Sequence, residues 1–318
     1  AWRISQEKFM KSVFFIDDLK FRASYGIVGN QNIPNFKYLS TYSNAGGRYQ
    51  YVIGDNQTQV PAMFADNIGD PDIHWEKSTQ TDFGLDASLL GRKLTFTADY
   101  YVKNLTDLLG FYPLPSYTGV YGNSVLINSF SMQNSGLEFG VGYQNHIGEV
   151  AYSINANFST LNNKITKLTG NEKSYVTQSI SFGGVDDNAQ TRSQAGERIA
   201  NFWGYATDGI FQNDKEVSAG GMGGVFPGDR RYKDLNGDSI VNSDDKTILG
   251  NGLPKYIFGF NLSMKYKMFD LTVFLNGQAG VQIANMTKAY LYNMRFFGGT
   301  GIVNGSADLL NSWHGEGT

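Results

Sequence analysis

Cysteine is absent from the 318 residues, and the three histidines (His74, His146, His314) lie far apart. No disulfide, thiol nucleophile, cysteine zinc site or iron–sulfur cluster can be built, and a histidine-rich metal site has too few members. Charge is also scarce: Asp, Glu, Lys and Arg make up 17% of the chain, and the formal net charge is −3. Such a chain lacks the basic surface that displaces counterions from a nucleic acid. No apolar run is long enough for a transmembrane helix, which takes about 18 residues or more. A membrane β-barrel would not show one either, because its strands alternate.

Glycine (38), Phe (22) and Tyr (19) are plentiful, a balance that points to an all-β protein with many turns. Period-two alternation is the strongest signal. Leu19, Phe21, Ala23, Tyr25 and Ile27 share one face, against Lys20, Arg22, Ser24 and Gly26. The same pattern runs through Thr81–Leu89, Leu94–Val102, Leu137–Tyr143, Tyr152–Phe158, Phe258–Tyr266 and Leu271–Leu275. A partial strand is expected within Trp2–Lys11. No helical stripe of comparable strength occurs.

The connections alternate in length. Leu90–Lys93, Asn145–Glu149 and Lys267–Asp270 read as tight turns. Between them lie long connections, Val28–His74, Asn104–Asn134 and Leu161–Lys255, and the stretch after Gly277. Compact domains rarely hold loops beyond about 12–15 residues. A transmembrane barrel has this asymmetry by construction. The rhythm favours an antiparallel barrel over a soluble sandwich, which also alternates and also favours aromatics. The opening Ala1-Trp2-Arg3 has no initiator Met or signal peptide, and the end reads as loop, so a piece of a longer chain is expected.

Several stretches, in order, resemble one family. They are Trp2–Glu7, Leu19–Gly26, Gly29-Asn30-Gln31, Trp75–Gln80, Asp99-Tyr100-Tyr101 with Thr106–Leu109, Asn134–Glu138, Gly204-Tyr205 with Asp208–Gln212, and Pro227-Gly228-Asp229 with Asp234–Asp238. The chain resembles the SusC/RagA-type TonB-dependent transporters of the outer membrane of Bacteroidetes. The resemblance implies a barrel of about twenty-two strands, of which this chain would hold about eight. It also implies an N-terminal plug and a TonB-contacting segment, both outside this chain along with the last strands. All 318 residues would then belong to one barrel domain, with 162–255 a long extracellular loop region. Implied partners are TonB, a SusD-like surface lipoprotein, outer-membrane lipid and an oligosaccharide or peptide cargo, with glycan ahead of peptide.

The sharpest local motif is Asp234–Asp245. Oxygen donors at positions one, three, five and twelve suit a hard cation such as calcium. They would be Asp234, Asn236, Asp238 and Asp245, with the Ile240 carbonyl at seven and Asn242 at nine. Ser239 stands at position six, where such loops want glycine and a positive φ. The alternative is an ion-free loop that bonds its own backbone through Asx turns. Either way its expected role is structural.

No Ser/His/Asp set can be assembled, and adjacent carboxylates such as Asp17-Asp18 and Asp244-Asp245 point apart, so no enzymatic activity is expected. Loop aromatics are the other candidates. Tyr112, Tyr117, Tyr121, Trp203, Tyr205, Phe211, Tyr290 and Tyr292 could stack on a sugar or meet the lipoprotein; packing within the loops is the plainer role. Two rivals stand beside import: a secreted soluble β-protein that binds carbohydrate, and a non-transporting outer-membrane adhesin or scaffold.

Overall fold

A computed structural model of the chain describes residues 1–44, 50–121, 123–169, 174–177, 190–292 and 305–317. Its strands, in chain order, begin with β1 (Trp2–Arg3), β2 (Ile16–Asn30), β3 (Thr41–Ser43), β4 (Gln50–Ile53), β5 (Thr58–Pro61) and β6 (Phe64–Asn67). They continue with β7 (Glu76–Leu89), β8 (Leu94–Pro113), β9 (Ser124–Ile147), β10 (Val150–Thr160), β11 (Asn162–Leu168), β12 (Ser174–Thr177) and β13 (Gln190–Gln194). The last are β14 (Asn201–Tyr205), β15 (Thr207–Ile210), β16 (Arg230–Tyr232), β17 (Lys246–Asn251), β18 (Tyr256–Tyr266) and β19 (Phe269–Ala279). Two short helices, α1 (Asp214–Ala219) and α2 (Met286–Tyr292), lie in the long connections.

The chain divides into two units. The first (1–173 and 256–277) is built on one antiparallel sheet, ordered β1-β2-β7-β8-β9-β10-β18-β19, with β11 also paired to β9. Neighbouring strands are joined by tight turns at 90–93, 148–149 and 267–268. At the first of these, Leu90, Gly91 and Arg92 all take positive φ, and the Arg92 amide donates to the Asp17 carboxylate at 2.8 Å.

Register explains the two faces. Phe21, Leu85, Ala98, Phe139, Phe158 and Phe258 lie opposite one another across six strands. One residue along, the row reads Lys20, Asp86, Thr97, Gly140, Asn157 and Gly259. Because the side-chain period is two, the first row faces one side and the second the other. Diagonal aromatic pairs reinforce the apolar side: Phe21–Phe83 at 6.4 Å, Phe96–Phe139 at 6.4 Å and Phe158–Tyr256 at 5.9 Å.

That apolar side is not covered by protein. Phe21, Phe83, Tyr100, Leu137, Phe139, Val141, Phe158 and Phe258 remain 36–46% exposed. The buried hydrophobic side chains among the described residues are Ala62, Leu108, Val120, Val125, Leu126, Ile165 and Phe211, and none lies on the alternating stretches. A soluble sandwich would bury this face against a second sheet. A barrel wall leaves it to lipid. Tyr143 and Tyr152, 6.0 Å apart, stand near the tight turns; exposed Tyr25 and Trp75 stand toward the opposite ends. Those are the levels at which amphipathic rings settle in a bilayer.

The structure departs from the sequence reading in two places. The stretch Asn104–Asn134, expected to be a long connection, is mostly strand: β8 and β9 stay paired to Pro113–Ser124. The period was hidden by register shifts between Leu105 and Leu109, where Asp107 takes φ +60. Conversely, the strand expected within Trp2–Lys11 stops after Arg3 and gives way to two 3-10 turns.

The two faces respond differently to charge. Leu85→Arg, about five residues from its tight turn, is expected to cost about 2–4 kcal/mol, the range for Arg at a bilayer midplane. Thr97→Arg, on the other face, is expected to cost much less. Urea unfolding of the full-length protein in lipid vesicles measures both.

Candidate functional site

The polar face carries an ion cluster drawn from three strands. Arg22 on β2 binds Asp86 on β7 through Nε (2.8 Å) and Nη2 (2.9 Å), and reaches Asp99 on β8 through Nη2 (2.8 and 3.0 Å). Lys20 adds a contact to Asp86 at 3.3 Å. Gly84 lies between them. A Cβ there would meet the Asp99 carboxylate and the Arg22 guanidinium, so the missing side chain is what lets the cluster close. Beyond it, Asp82 accepts from Ser24 at 2.9 Å and from Gln80 at 2.8 Å. Arg22, Asp99, Ser24, Gln80 and Asp82, with Tyr101, Lys103 and Glu138, line a groove of about 470 Å³. Charged groups inside lipid would be prohibitive; paired on the inward face they suit a hydrated interior.

Farther along β8, the Thr106–Leu109 motif builds a knot. Asn128 on β9 donates to the carbonyls of His74 (2.9 Å) and Asp107 (2.6 Å), and its Oδ1 accepts the His74 amide at 3.0 Å. Glu76 accepts from Leu109 N and Asn30 Nδ2. The Asp72 carbonyl, then the nearby Asp107 carboxylate, raise the His74 pKa above its ordinary value. Sequence reasoning used Thr106–Leu109 as a family signature and missed Asn128, which has no local pattern of its own.

The second unit (174–255 and 278–318) contains the sheet β12-β13-β14-β17 and the pair β15-β16. Its centre is Phe211, fully buried. Phe211 donates to the Asp229 carbonyl (2.9 Å) and accepts from the Gly228 amide (2.7 Å). Gly228 has φ +93, and the Trp313 ring occupies the place of its missing Cβ. Trp313 also donates to Gln212 Oε1 at 3.3 Å. Asn213 caps α1 by accepting the Glu216 amide at 3.1 Å.

The acidic loop folds upon itself. Asp234 accepts from the amides of Gly237 (2.6 Å) and Ser239 (2.8 Å). Asn236 accepts from Asp238 N, and Asp238 from Ile240 N. Fully buried Asp245 joins the two ends, accepting from Leu235 N at 2.7 Å and Asn242 N at 2.9 Å. Those amides, Asn242 and then Leu235 first among them, hold its carboxyl below the ordinary carboxylate range against the opposing effect of burial. Ser239 sits at φ +65, the left-handed turn that position six requires. Among the described residues, no three His, Asp or Glu side chains are grouped to hold a metal ion.

The aromatic candidates separate. Tyr117 (89%), Tyr121 (46%) and Tyr292 (37%) are exposed. Tyr121 packs on Phe64 at 5.7 Å, and Tyr292 hydrogen-bonds the Asp308 carboxylate. Tyr112 is half-buried near the end of β8. On β14, Trp203 lies under the Arg192 guanidinium, 3.4 Å from its ring centre, and Tyr205 faces Tyr232 at 5.1 Å. Tyr290 falls in α2, and its side chain lies outside the described residues. Phe211 differs from its expected role: it has no free surface and serves as the packing centre of its unit.

A family model described as the β-barrel of TonB-dependent receptor-like proteins matches residues 2–278. The chain belongs to the TonB-dependent receptor β-barrel family. The TonB-dependent receptor P3 of Formosa agariphila is 33% identical over 317 residues, covering 98% of this chain and 30% of that relative. SusC of Bacteroides thetaiotaomicron, also a TonB-dependent receptor, is 30% identical over 277 residues, 86% of this chain and 26% of SusC. A structure described as the RagAB peptide transporter superposes with a TM-score of 0.77 at 23% identity, over 98% of this chain and 31% of that one. This receptor chain thus spans about three tenths of the length of its relatives, and its sheet is part of a barrel in the bacterial outer membrane.

Two predictions concern the acidic loop of this receptor. Because the Asp245 pKa is lowered on folding, its contribution is fully present above the unfolded carboxylate value of about 3.9. It is lost as pH falls through the lower folded value. Amide exchange at Leu235 and Asn242, corrected for intrinsic rate, should lose protection only below about pH 4. Ser239→Gly should remove a left-handed strain of about 1–2 kcal/mol and slow proteolysis within 234–245; unchanged or faster cleavage contradicts this.

Proposed function

We propose that the complete receptor imports an oligomeric nutrient across the outer membrane, driven through TonB, and that this stretch supplies barrel wall and long-loop structure. One observation carries the reading. The same strands present an uncovered apolar row on one side and, one residue along, a row with the Arg22–Asp86–Asp99 cluster on the other. Such a wall separates lipid from a hydrated interior. Of the rivals, the secreted soluble protein has no use for the uncovered row, whereas an adhesin barrel would share it.

Glycan is the proposed cargo ahead of peptide. Exposed Tyr117 and Tyr121 offer ring faces that stack on sugars and hydroxyl tips that bond them. A SusD-like lipoprotein is the proposed partner at the long-loop end. The reading assigns no covalent chemistry to these residues: Asp86 and Asp99 are engaged with Arg22, and Asp234 and Asp245 with backbone amides.

For the acidic loop we propose a bracing role. Its carboxylates, the Asn236 amide and the Ile240 carbonyl are hard oxygen donors of the kind calcium takes. Protection of 234–245 that rises with calcium and falls with chelator marks an ion-held brace; protection indifferent to both marks a self-bonded one.

The import reading is tested by oligosaccharide uptake in matched strains with and without TonB, together with mass spectrometry of what copurifies from gentle detergent extraction. Uptake lost without TonB, with a surface lipoprotein and bound oligosaccharide recovered, is the expected result. Uptake untouched by TonB loss would promote the adhesin; bound peptide would replace the glycan.

A further inference from the structure

In the long-loop unit, Arg198 is a part-buried cation with no counter-charge among the described residues. Arg198 lies in the turn between β13 and β14. Its Nη2 donates to the Pro254 carbonyl at 3.2 Å. Its Nε and Nη1 are shielded from solvent and have no hydrogen-bond partner. Among the described residues no carboxylate acts on it; partial burial is the one effect felt, and it lowers the pKa. The guanidinium nevertheless stays charged at any physiological pH.

Arg192, six residues earlier in the same hairpin, also has a shielded Nε without a hydrogen-bond partner, but it has a counter-charge. Its Nη2 meets Glu197 at 2.7 Å, and its guanidinium lies over the Trp203 ring. The second Glu197 oxygen takes the Asn201 amide at 3.4 Å. The turn's one carboxylate is therefore spent on Arg192 and Asn201. Asn251 holds the other side of the turn, donating to the Ile199 carbonyl at 2.8 Å and to Asn201 Oδ1 at 2.9 Å. Asn251 thus brings a neutral amide and no negative charge to the turn.

Buried ionic groups in proteins are paired, and guanidinium N–H donors match carboxylate, sulfate and phosphate oxygens. The turn itself is arranged to give way. Gly196 and Ala200 both take positive φ (+91 and +52), a strain for Ala200. Ala195, Gly196 and Ala200 are exposed. The Ala200 amide is held by the Ser193 hydroxyl oxygen at 3.0 Å.

We propose that Arg198 is the receptor of an oxyanion-binding site at the β13–β14 turn, taking a carboxylate or sulfate group. The anion reaches Nε and Nη1 as the turn 195–200 shifts, and pairs the charge that the described residues leave unpaired. The proposal does not depend on what the barrel carries.

Hydrogen exchange of the full receptor in detergent tests it. The probes are sodium sulfate and sodium glucuronate, each against sodium chloride at equal ionic strength. Several-fold slower exchange at residues 196–200 with either probe is expected. Arg198→Gln should abolish that protection, and in chloride its turn should exchange no faster than wild type, because an unpaired charge has been removed. Arg198→Lys, which keeps the charge, should retain part of the response. A response to sulfate alone identifies a free tetrahedral ion as the source; a response to glucuronate identifies a sugar-borne carboxylate. Wild-type protein indifferent to both anions overturns the proposal. So does equal protection in Arg198→Gln, and so does a turn loosened by that substitution in chloride alone, which marks a purely structural arginine.

Discussion

A bilayer core offers no hydrogen-bond partners, so every strand amide within it must be paired with a neighbouring strand. The first unit obeys that constraint from β2 through to β19, each strand hydrogen-bonded to the next. Once the ladder is antiparallel and continuous, side-chain direction is fixed by parity alone. The row through Phe21, Leu85 and Phe139 must face one side, and the row through Lys20, Asp86 and Thr97 the other. Composition follows from geometry: charge is rare in this chain because half the wall faces lipid, and glycine is common partly because the inward face is crowded. Gly84 illustrates the second point, since any side chain there would displace the Arg22 cluster.

The two units are stabilised in different ways. The sheet buries few side chains and relies on its ladder, on diagonal aromatic pairs and on the surrounding lipid. The long-loop unit has a small core around Phe211 and a dense set of side-chain-to-backbone bonds. Asp234, Asp245, Asn213 and Asn251 each bind amides or carbonyls that a long connection would otherwise leave to water. Long loops in a barrel can hold a fixed shape only if their backbone groups are satisfied in this way.

The strands were legible in the sequence wherever the period was unbroken. Leu19–Ile27, Thr81–Leu89, Tyr152–Phe158 and Phe258–Tyr266 all fall inside strands of the sheet. The upper reaches of β8 and β9 were not legible, because the irregularity at Asp107 shifts the register and erases the alternation. The acidic loop was visible as a pattern of oxygen donors, and its left-handed Ser239 was expected from position alone. Its closure by Asp245 onto Leu235 was not visible, since it depends on tertiary folding. Phe211 read as a loop aromatic because it lies in the long Leu161–Lys255 connection; only the packing around it, with Gly220 against its ring and Trp313 on Gly228, reveals a core. Arg198 gave no signal, since an arginine in a Gly- and Glu-containing turn ordinarily faces water.

The central claim is that alternate residues of these strands face lipid and water. The chain contains no cysteine, so single cysteines placed one at a time along Leu94–Lys103 of the receptor in outer-membrane vesicles report each position cleanly. A bulky water-soluble maleimide should label Thr95, Thr97, Asp99 and Tyr101 positions, and a lipid-phase quencher should reach probes at Phe96, Ala98 and Tyr100. Labelling that alternates with period two is the predicted result. Uniform aqueous labelling, or no periodicity, would contradict the barrel wall and everything built on it.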